Sequence, residues 1–200
     1  MRNHALNVLI GVAILGSVTA FGGPTFSNVN ITSDFGQYSV FSVSTNGDFD
    51  SLFFRFVSAT VGDDITPPRS GEITIEYDVQ AEDGKLLDGL NLRAVGDLQG
   101  TGIIEASGLI QDLDMPGIET SDAFSLGNSV QFPYYTEIDL VRSTTRVHVT
   151  QSFLLEANDG GGFDIATLSL VVHQLTQIPL PEPSSLGLLA LGALTLIKRR

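Results

Sequence analysis

An all-β fold is what this 200-residue chain predicts: a single β-sandwich of about eight mostly antiparallel strands, with a jelly roll as one topology that satisfies it. Three observations carry the prediction. Apolar and polar residues alternate with period two along the middle of the chain. Clusters of Gly, Asn, Asp and Pro divide the alternating segments. Nowhere between residues 21 and 180 does a sustained 3.6-residue apolar period with capping signals occur.

Taken in order, the first candidate strands are residues 38–44 and 51–58. Phe49, Phe53, Phe54 and Phe56 are dense enough that the second is expected to be buried on both faces, as a central sandwich strand is. In residues 72–80, Ile73, Ile75, Tyr77 and Val79 face one way while Glu72, Thr74, Glu76, Asp78 and Gln80 face the other, the pattern of a half-buried strand. Residues 90–95 and 102–110 follow as weaker candidates. In residues 130–140, Val130, Phe132, Tyr134, Ile138 and Leu140 alternate with Gln131, Pro133, Tyr135, Glu137 and Asp139. Pro133 lacks a donor, which places this strand at a sheet edge or bulge. Val147, Val149, Phe153 and Leu155 then stand opposite Arg146, His148, Thr150, Ser152 and Glu156. The last strand sets Ala166, Leu168, Leu170 and Val172 against Thr167 and Ser169. Asn46-Gly47, Asp83-Gly84, Gly100-Thr101-Gly102 and residues 158–162 supply turns, and Pro67-Pro68 and Met115-Pro116-Gly117 mark longer surface loops.

The net charge is −13, and in residues 21–180 six basic residues stand against 22 acidic ones. Such a surface repels nucleic-acid phosphates, so no nucleic acid is expected as a partner. With no cysteine, disulfides, thiolate zinc sites and Cys nucleophiles are excluded, and the fold rests on its core alone.

No catalytic constellation emerges, and a non-enzymatic protein is expected. His148 and His173 both fall on the polar side of their strands. Ser152 shares a face with His148 but lies two pleats away, too far for a direct nucleophile–base hydrogen bond. Glu72, Glu76, Asp78, Glu137 and Asp139 are the carboxylates from which a glycosidase-like pair would be drawn, with Tyr135 as the aromatic available to stack a sugar. No cofactor is expected beyond a structural calcium. Its oxygen ligands would come from Asp112, Asp114, Glu119 and Asp122, or from Asn158, Asp159 and Asp164. Asn46, Asp48 and Asp50 begin an EF-hand spacing that Ser51 and Val57 break.

The two ends carry the strongest signals. Arg2 and His4 precede a short apolar stretch ending in Val18-Thr19-Ala20, which reads as a signal peptide over residues 1–20 with cleavage at Ala20. At the other end Pro181, Glu182 and Pro183 precede an apolar run, residues 186–197, and then Lys198, Arg199 and Arg200. The prolines keep the motif extended. As a helix the run is about 18 Å long against a hydrocarbon core of ~30 Å, a short transmembrane helix suited to temporary anchoring. The terminal cations hold that end in the cytoplasm and place the preceding domain outside.

This tail, residues 179–200, resembles the PEP-CTERM sorting signal of Gram-negative surface proteins. The resemblance implies an exosortase-type processing enzyme acting near Pro181-Glu182-Pro183, transient residence in the inner membrane, and export to the cell surface of a bacterium that makes exopolysaccharide. The expected domains are residues 1–20, a secreted acidic sandwich over residues 21–178, and the sorting segment 179–200. The expected function is structural or adhesive, at the cell surface or in an extracellular polysaccharide matrix or biofilm. A carbohydrate-binding or calcium-dependent adhesion module is the alternative, and a glycan-active enzyme the third reading.

Overall fold

The structure, a computed structural model, describes residues 18–19, 23–45, 49–57, 59–62, 69–127, 132–157 and 164–180. Twelve strands run through them: β1 (Val18–Thr19), β2 (Thr25–Ser33), β3 (Tyr38–Thr45), β4 (Phe49–Phe56), β5 (Thr60–Val61), β6 (Ser70–Gln80), β7 (Lys85–Gln99), β8 (Ile103–Asp112), β9 (Glu119–Leu126), β10 (Tyr134–Thr144), β11 (Arg146–Glu156) and β12 (Ile165–Pro179). One sheet has the order β1-β2-β6-β11-β8-β9. The other has the order β10-β7-β12-β4-β3, with β5 paired to β12. Every pairing is antiparallel. From β6 onward the chain changes sheet at every connection except β8 to β9, in the jelly-roll manner, so the expected β-sandwich is the observed architecture.

Period-two alternation builds the core. Ile73, Ile75, Tyr77 and Val79 of β6 and Val147, Val149, Phe153 and Leu155 of β11 point inward from the first sheet. Leu52, Phe54 and Phe56 of β4, Leu90, Leu92 and Ala94 of β7, and Ala166 and Leu168 of β12 meet them from the second. Truncating any of the large members to Ala costs about 2–5 kcal/mol by lost burial plus the cavity left behind.

The structure extends and corrects the sequence reading at several points. Strands β2 and β9 were not anticipated. In β2 the inward residues are Phe26, Val29, Ile31 and Ser33, and the step of three from Phe26 to Val29 hides the alternation. A bulge between Ser27 and Asn30 makes that step, with Asn28 in the left-handed region at φ 53°. Strand β9 has few apolar residues, and it carries Glu119 and Asp122, which the sequence assigned to a loop. Strand β7 runs well beyond 90–95. Strand β10 starts after Pro133 and is the outermost strand of its sheet, as the proline requires.

The largest correction concerns β12. The register with β7 shifts between Leu168 and Leu170, which leaves Ser169 as an extra residue. Its hydroxyl donates to the carbonyl of Val95 at 3.0 Å. Ahead of the bulge Ala166 and Leu168 face the core; beyond it Val171, His173 and Leu175 do, while Leu170, Val172 and Gln174 turn outward. His173 is therefore 0 % exposed rather than on the polar side, and Val172 lies outside the core cluster. Gly96 packs beside this bulge, where an added Cβ would sit 2.1 Å from the carbonyl oxygen of Thr167.

Of the expected signal peptide only Val18 and Thr19 are described; they pair with Phe26 and Thr25 at the edge of the first sheet. Cleavage at Ala20 would remove β1 and leave β2 as the edge. Ala20, Pro181, Glu182, Pro183, Lys198, Arg199 and Arg200 lie outside the described residues, as do both expected terminal helices. Among the described residues no helix is long and apolar enough to cross a membrane. Strand β12 ends at Pro179, two residues before Pro181, and the amide of Leu180 donates to the carbonyl of Gly84 at 2.8 Å.

Candidate functional site

The outer face of the second sheet carries a row of side chains, one from each of five strands. Phe41 of β3 stands opposite Phe53 of β4, Phe53 opposite Val172 of β12, Val172 opposite Arg93 of β7, and Arg93 opposite Tyr135 of β10. With strands about 4.8 Å apart, the row spans roughly 19 Å. A second row two residues away sets Ser51, Gln174, Asn91 and Glu137 in the same order across β4, β12, β7 and β10. From Phe53 to Tyr135 and from Ser51 to Glu137 the two rows line a groove of about 540 Å³, and Phe41 extends the first row beyond it.

Each end of the first row is an exposed aromatic ring. Phe41 is 45 % exposed and stacks on Phe53 with ring centroids 4.9 Å apart and planes 8° from parallel. Tyr135 is 62 % exposed, and the guanidinium of Arg93 lies 5.5 Å from its ring centroid, a cation–π contact that fixes the arginine over the ring. The second row supplies hydroxyl, amide and carboxylate groups, so the groove pairs flat apolar surface with hydrogen-bonding groups along one edge. Phe53 is thus half-buried on the outer face, which corrects the expectation that β4 is buried on both faces; its core-facing residues are Leu52, Phe54 and Phe56.

The opposite sheet presents a different surface. A groove of about 550 Å³ there is lined by Glu72, Glu105, Ser107, Ser125 and Ser152 along with less polar residues. Thr74 and Ser152 share a hydrogen bond of 3.1 Å across β6 and β11. Asp78 Oδ1 lies 2.6 Å from His148 Nδ1, and Asp78 Oδ2 accepts from Asn28 Nδ2 at 2.5 Å. His148 Nε2 in turn is 3.4 Å from Thr150 Oγ1. This Asp-His-Thr sequence of contacts has the order of a hydrolytic triad, with Thr150 rather than Ser152 next to the imidazole. It sits in the middle of a sheet, where the amides of β11 bond to β6 and β8 on either side, so the strand offers no amide pair to hold an oxyanion beside Thr150.

The remaining titratable candidates are held by other parts of the fold. The Tyr77 hydroxyl and His173 Nδ1 meet at 2.7 Å in the core, and His173 Nε2 has no hydrogen-bond partner there. Burial pushes the imidazole down to about 3 and pushes the phenol well above its ordinary value. Asp112 Oδ1 accepts from the amides of Asp114 and Met115 and from Thr144 Oγ1, while its Oδ2 lies 3.4 Å from Arg142 Nε. Asp114 accepts from Thr145, Arg146 and Thr144. Desolvation alone would raise its carboxyl, but those hydrogen bonds outweigh it and hold the group well below the usual carboxylate range. Asp112 and Asp114 thus tie the loop after β8 to the turn between β10 and β11. Glu119 and Asp122 sit on β9, Asp164 Oδ1 accepts from the amide of Thr101 at 2.9 Å, and Asn46, Asp48, Asn158 and Asp159 lie outside the described residues. Among the described residues no group of three or more His, Asp or Glu side chains is placed to hold a metal.

Of the residues singled out as candidates for function, Tyr135 and Glu137 belong to the aromatic groove, while Phe53 and Val172 were read as core. Phe41, Arg93, Asn91 and Gln174 were missed, and the available signal was an aromatic on the outward side of an alternating strand.

No protein-family model matches the chain, and a search of curated proteins returns no match. Among solved structures the chain is similar to TmCBM61 in complex with β-1,4-galactotriose, at 12 % identity and a TM-score of 0.40 over 77 % of this chain and 90 % of that one. It is also similar to the family 11 carbohydrate-binding module from Clostridium thermocellum in complex with a β-1,3-1,4-mixed-linked tetrasaccharide, at 12 % identity and a TM-score of 0.32 over 82 % and 99 % of the two chains. A third is the enzymatically active domain of bacteriophage CBA120 tailspike protein 4, at 10 % identity and a TM-score of 0.23, covering 73 % of this chain and 20 % of that one.

Proposed function

We propose that this protein is an exported, non-catalytic glycan-binding module that holds polysaccharide on the outer face of its second sheet. The observation that carries the reading is the cross-strand row from Phe41 to Tyr135, with an exposed aromatic ring at each end and Ser51, Gln174 and Asn91 alongside. Sugar rings have apolar faces that stack on aromatic side chains and equatorial hydroxyls that bond to amides and hydroxyls, so both rows have a use for one ligand. A row running across five strands suits an extended polymer better than a single small molecule.

The terminal motifs support the setting. Residues 1–20 are read as a signal peptide, and Pro181-Glu182-Pro183 with Lys198, Arg199 and Arg200 as a sorting segment for an exosortase-type enzyme, which places the sandwich at the cell surface or in its matrix. Intact mass of the protein recovered from its host tests this: loss of both terminal segments is expected, and a species keeping Lys198 to Arg200 would overturn the sorting step.

Glycan binding is tested by affinity electrophoresis of the full chain in gels cast with a panel of plant and bacterial polysaccharides. Retardation by at least one is expected, and replacing Phe41 and Tyr135 together by Ala should weaken it tenfold or more. Unchanged retardation in that variant would sink the assignment of the face. A competing enzymatic reading rests on Glu72 and Glu105, which flank Leu154 of β11 on one row, two strand spacings or about 10 Å apart at the backbone. Reducing ends released from a retained polysaccharide, and lost in Glu105→Gln, would favour it.

A further inference from the structure

Six Lys and Arg residues fall within the described part of this acidic chain, and most have a carboxylate beside them or another partner. Lys85 pairs with Glu82 at 2.7 Å, Arg142 with Asp112 at 3.4 Å and Arg146 with Asp114 at 2.9 Å, and Arg69 is also engaged. Arg55 and Arg93 have no carboxylate partner among the described residues, although acidic residues outnumber basic ones 22 to six in residues 21–180. Both are exposed, and both stand on the outer face of the second sheet, one on each side of β12: Arg55 opposite Leu170 and Arg93 opposite Val172. Two strand spacings across and one pleat along put their backbones about 12 Å apart. The first sheet's outer face carries Glu72, Glu76, Asp78, Glu105 and Glu119, and its basic groups, Arg146 and His148, already lie against Asp114 and Asp78.

We propose that the polysaccharide held on this face is anionic, a polymer with carboxylates on its sugars, and that Arg55 and Arg93 are the groups that receive them. This rests on the glycan-binding reading above and narrows its ligand class. Arg93 is held beside Tyr135 by a ring contact rather than by a carboxylate, which leaves its N–H donors for a bidentate carboxylate contact from a ligand. Glu137 borders the groove one row from Arg93 and repels a carboxylate there. The acid groups of the ligand are therefore directed to the Arg93 and Arg55 diagonal. Long-range attraction supplies little, because the whole chain carries −13 and repels a polyanion. Recognition depends on local pairing with the two arginines.

The test uses the full chain in mild detergent, with polygalacturonate and alginate as anionic probes and fully methyl-esterified polygalacturonate as the neutral form of the same backbone. The wild type is expected to bind an anionic probe at least tenfold more tightly than the ester, and Arg55→Gln with Arg93→Gln to remove that preference while keeping the thermal midpoint. Phe41→Ala with Tyr135→Ala should weaken every probe alike. Equal affinity for acid and ester, or arginine variants that bind the acid as before, would overturn the anionic assignment while leaving glycan binding intact. Binding to none of the probes, with a neutral polymer of the wider panel retained instead, would likewise overturn it; retention by no polymer at all would take down both readings.

Discussion

The outer faces of the two sheets bound grooves of nearly equal size, about 550 and 540 Å³, yet they are built from different chemistry. On the first sheet the outward rows are mostly Ser, Thr, Glu and Asp, interrupted by Leu109 and Leu154, with neighbours such as Thr74 and Ser152 bonding to each other across strands. Such a face satisfies itself and is wetted. On the second sheet the outward row runs from aromatic ring to aromatic ring, and the polar groups next to it have few partners within the protein. Aromatic rings exposed to water are costly to leave bare, and that asymmetry is the ground for proposing the second hollow rather than the first as the place for a ligand. The comparison also shows why hollow size alone decides nothing here.

The most disruptive way to break the contrast is to crowd the bulge of β12 at Gly96, where an added Cβ would lie 2.1 Å from the carbonyl oxygen of Thr167. Gly96→Val fits only if β7 and β12 separate at the point where Ser169 sets which side chains of β12 face the core. That variant is expected to lose about 3 kcal/mol or more, or to accumulate unfolded, as read by urea denaturation and near-ultraviolet circular dichroism. Native stability in it would show that the close approach of the two strands at the bulge is not needed to set the faces.

Next in size is an effect of acid on the underside of the same strand. His173 has a folded value of about 3 against about 6.5 when unfolded, so the unfolded chain binds the extra proton between those values. Its contribution is complete above pH 6.5 and falls as pH drops toward 3, by about 2 kcal/mol between pH 7 and pH 5. His173→Phe should lower stability at pH 7, since the Tyr77 hydroxyl loses its partner, and should flatten that pH slope. An unchanged slope would mean that another group carries the acid sensitivity. At the loop after β8, Asp114 has a lowered folded value, so its share is present above the ordinary carboxylate range and fades as pH falls through the depressed one. Asp114→Asn should therefore cost least in strong acid, measured as the difference in unfolding midpoint from wild type across pH.

The smallest effects are expected on the first sheet's outer face. Thr74→Ala with Ser152→Ala, and Glu72→Gln, should each change stability by less than about 1 kcal/mol and leave polysaccharide retention unaltered. A loss of retention in either would move the binding face to the other sheet.

How far the molecule was legible in its sequence follows from where alternation is unbroken. Strands β6 and β11 pair residue for residue over their whole lengths, from Arg146 with Gln80 to Glu156 with Ser70, and each was read from apolar residues at alternate positions, with the buried Gln151 as the one inward exception in β11. Strand β2 escaped because the bulge at Asn28 places Phe26 and Val29 three apart, and the far half of β12 was assigned to the wrong face because Ser169 adds one residue to the count. The site was less legible than the fold. Tyr135 and Glu137 were visible as outward residues, but Phe41, Phe53 and Arg93 join them only through the register of non-adjacent strands, and strand order is a long-range property that period-two patterning does not encode. Of the acid residues named as calcium ligands, Asp112 and Asp114 serve the turn-forming use of Asp, accepting backbone amides and hydroxyls at a loop.

The position of β12 has a mechanical side. It lies third in a five-strand order, bonded along most of its length to β7 and to β4 and β5 on its other edge, and its last residue, Pro179, adjoins the segment read as the anchor. A pull on the C-terminal end while polymer holds the face of the same sheet would load those ladders lengthwise. Hydrogen bonds loaded in shear resist together, whereas bonds at an edge strand peel one after another. If the proposed attachment at the end of β12 holds, that strand's interior place would let the domain bear tension between a cell and its surrounding polymer without first coming apart.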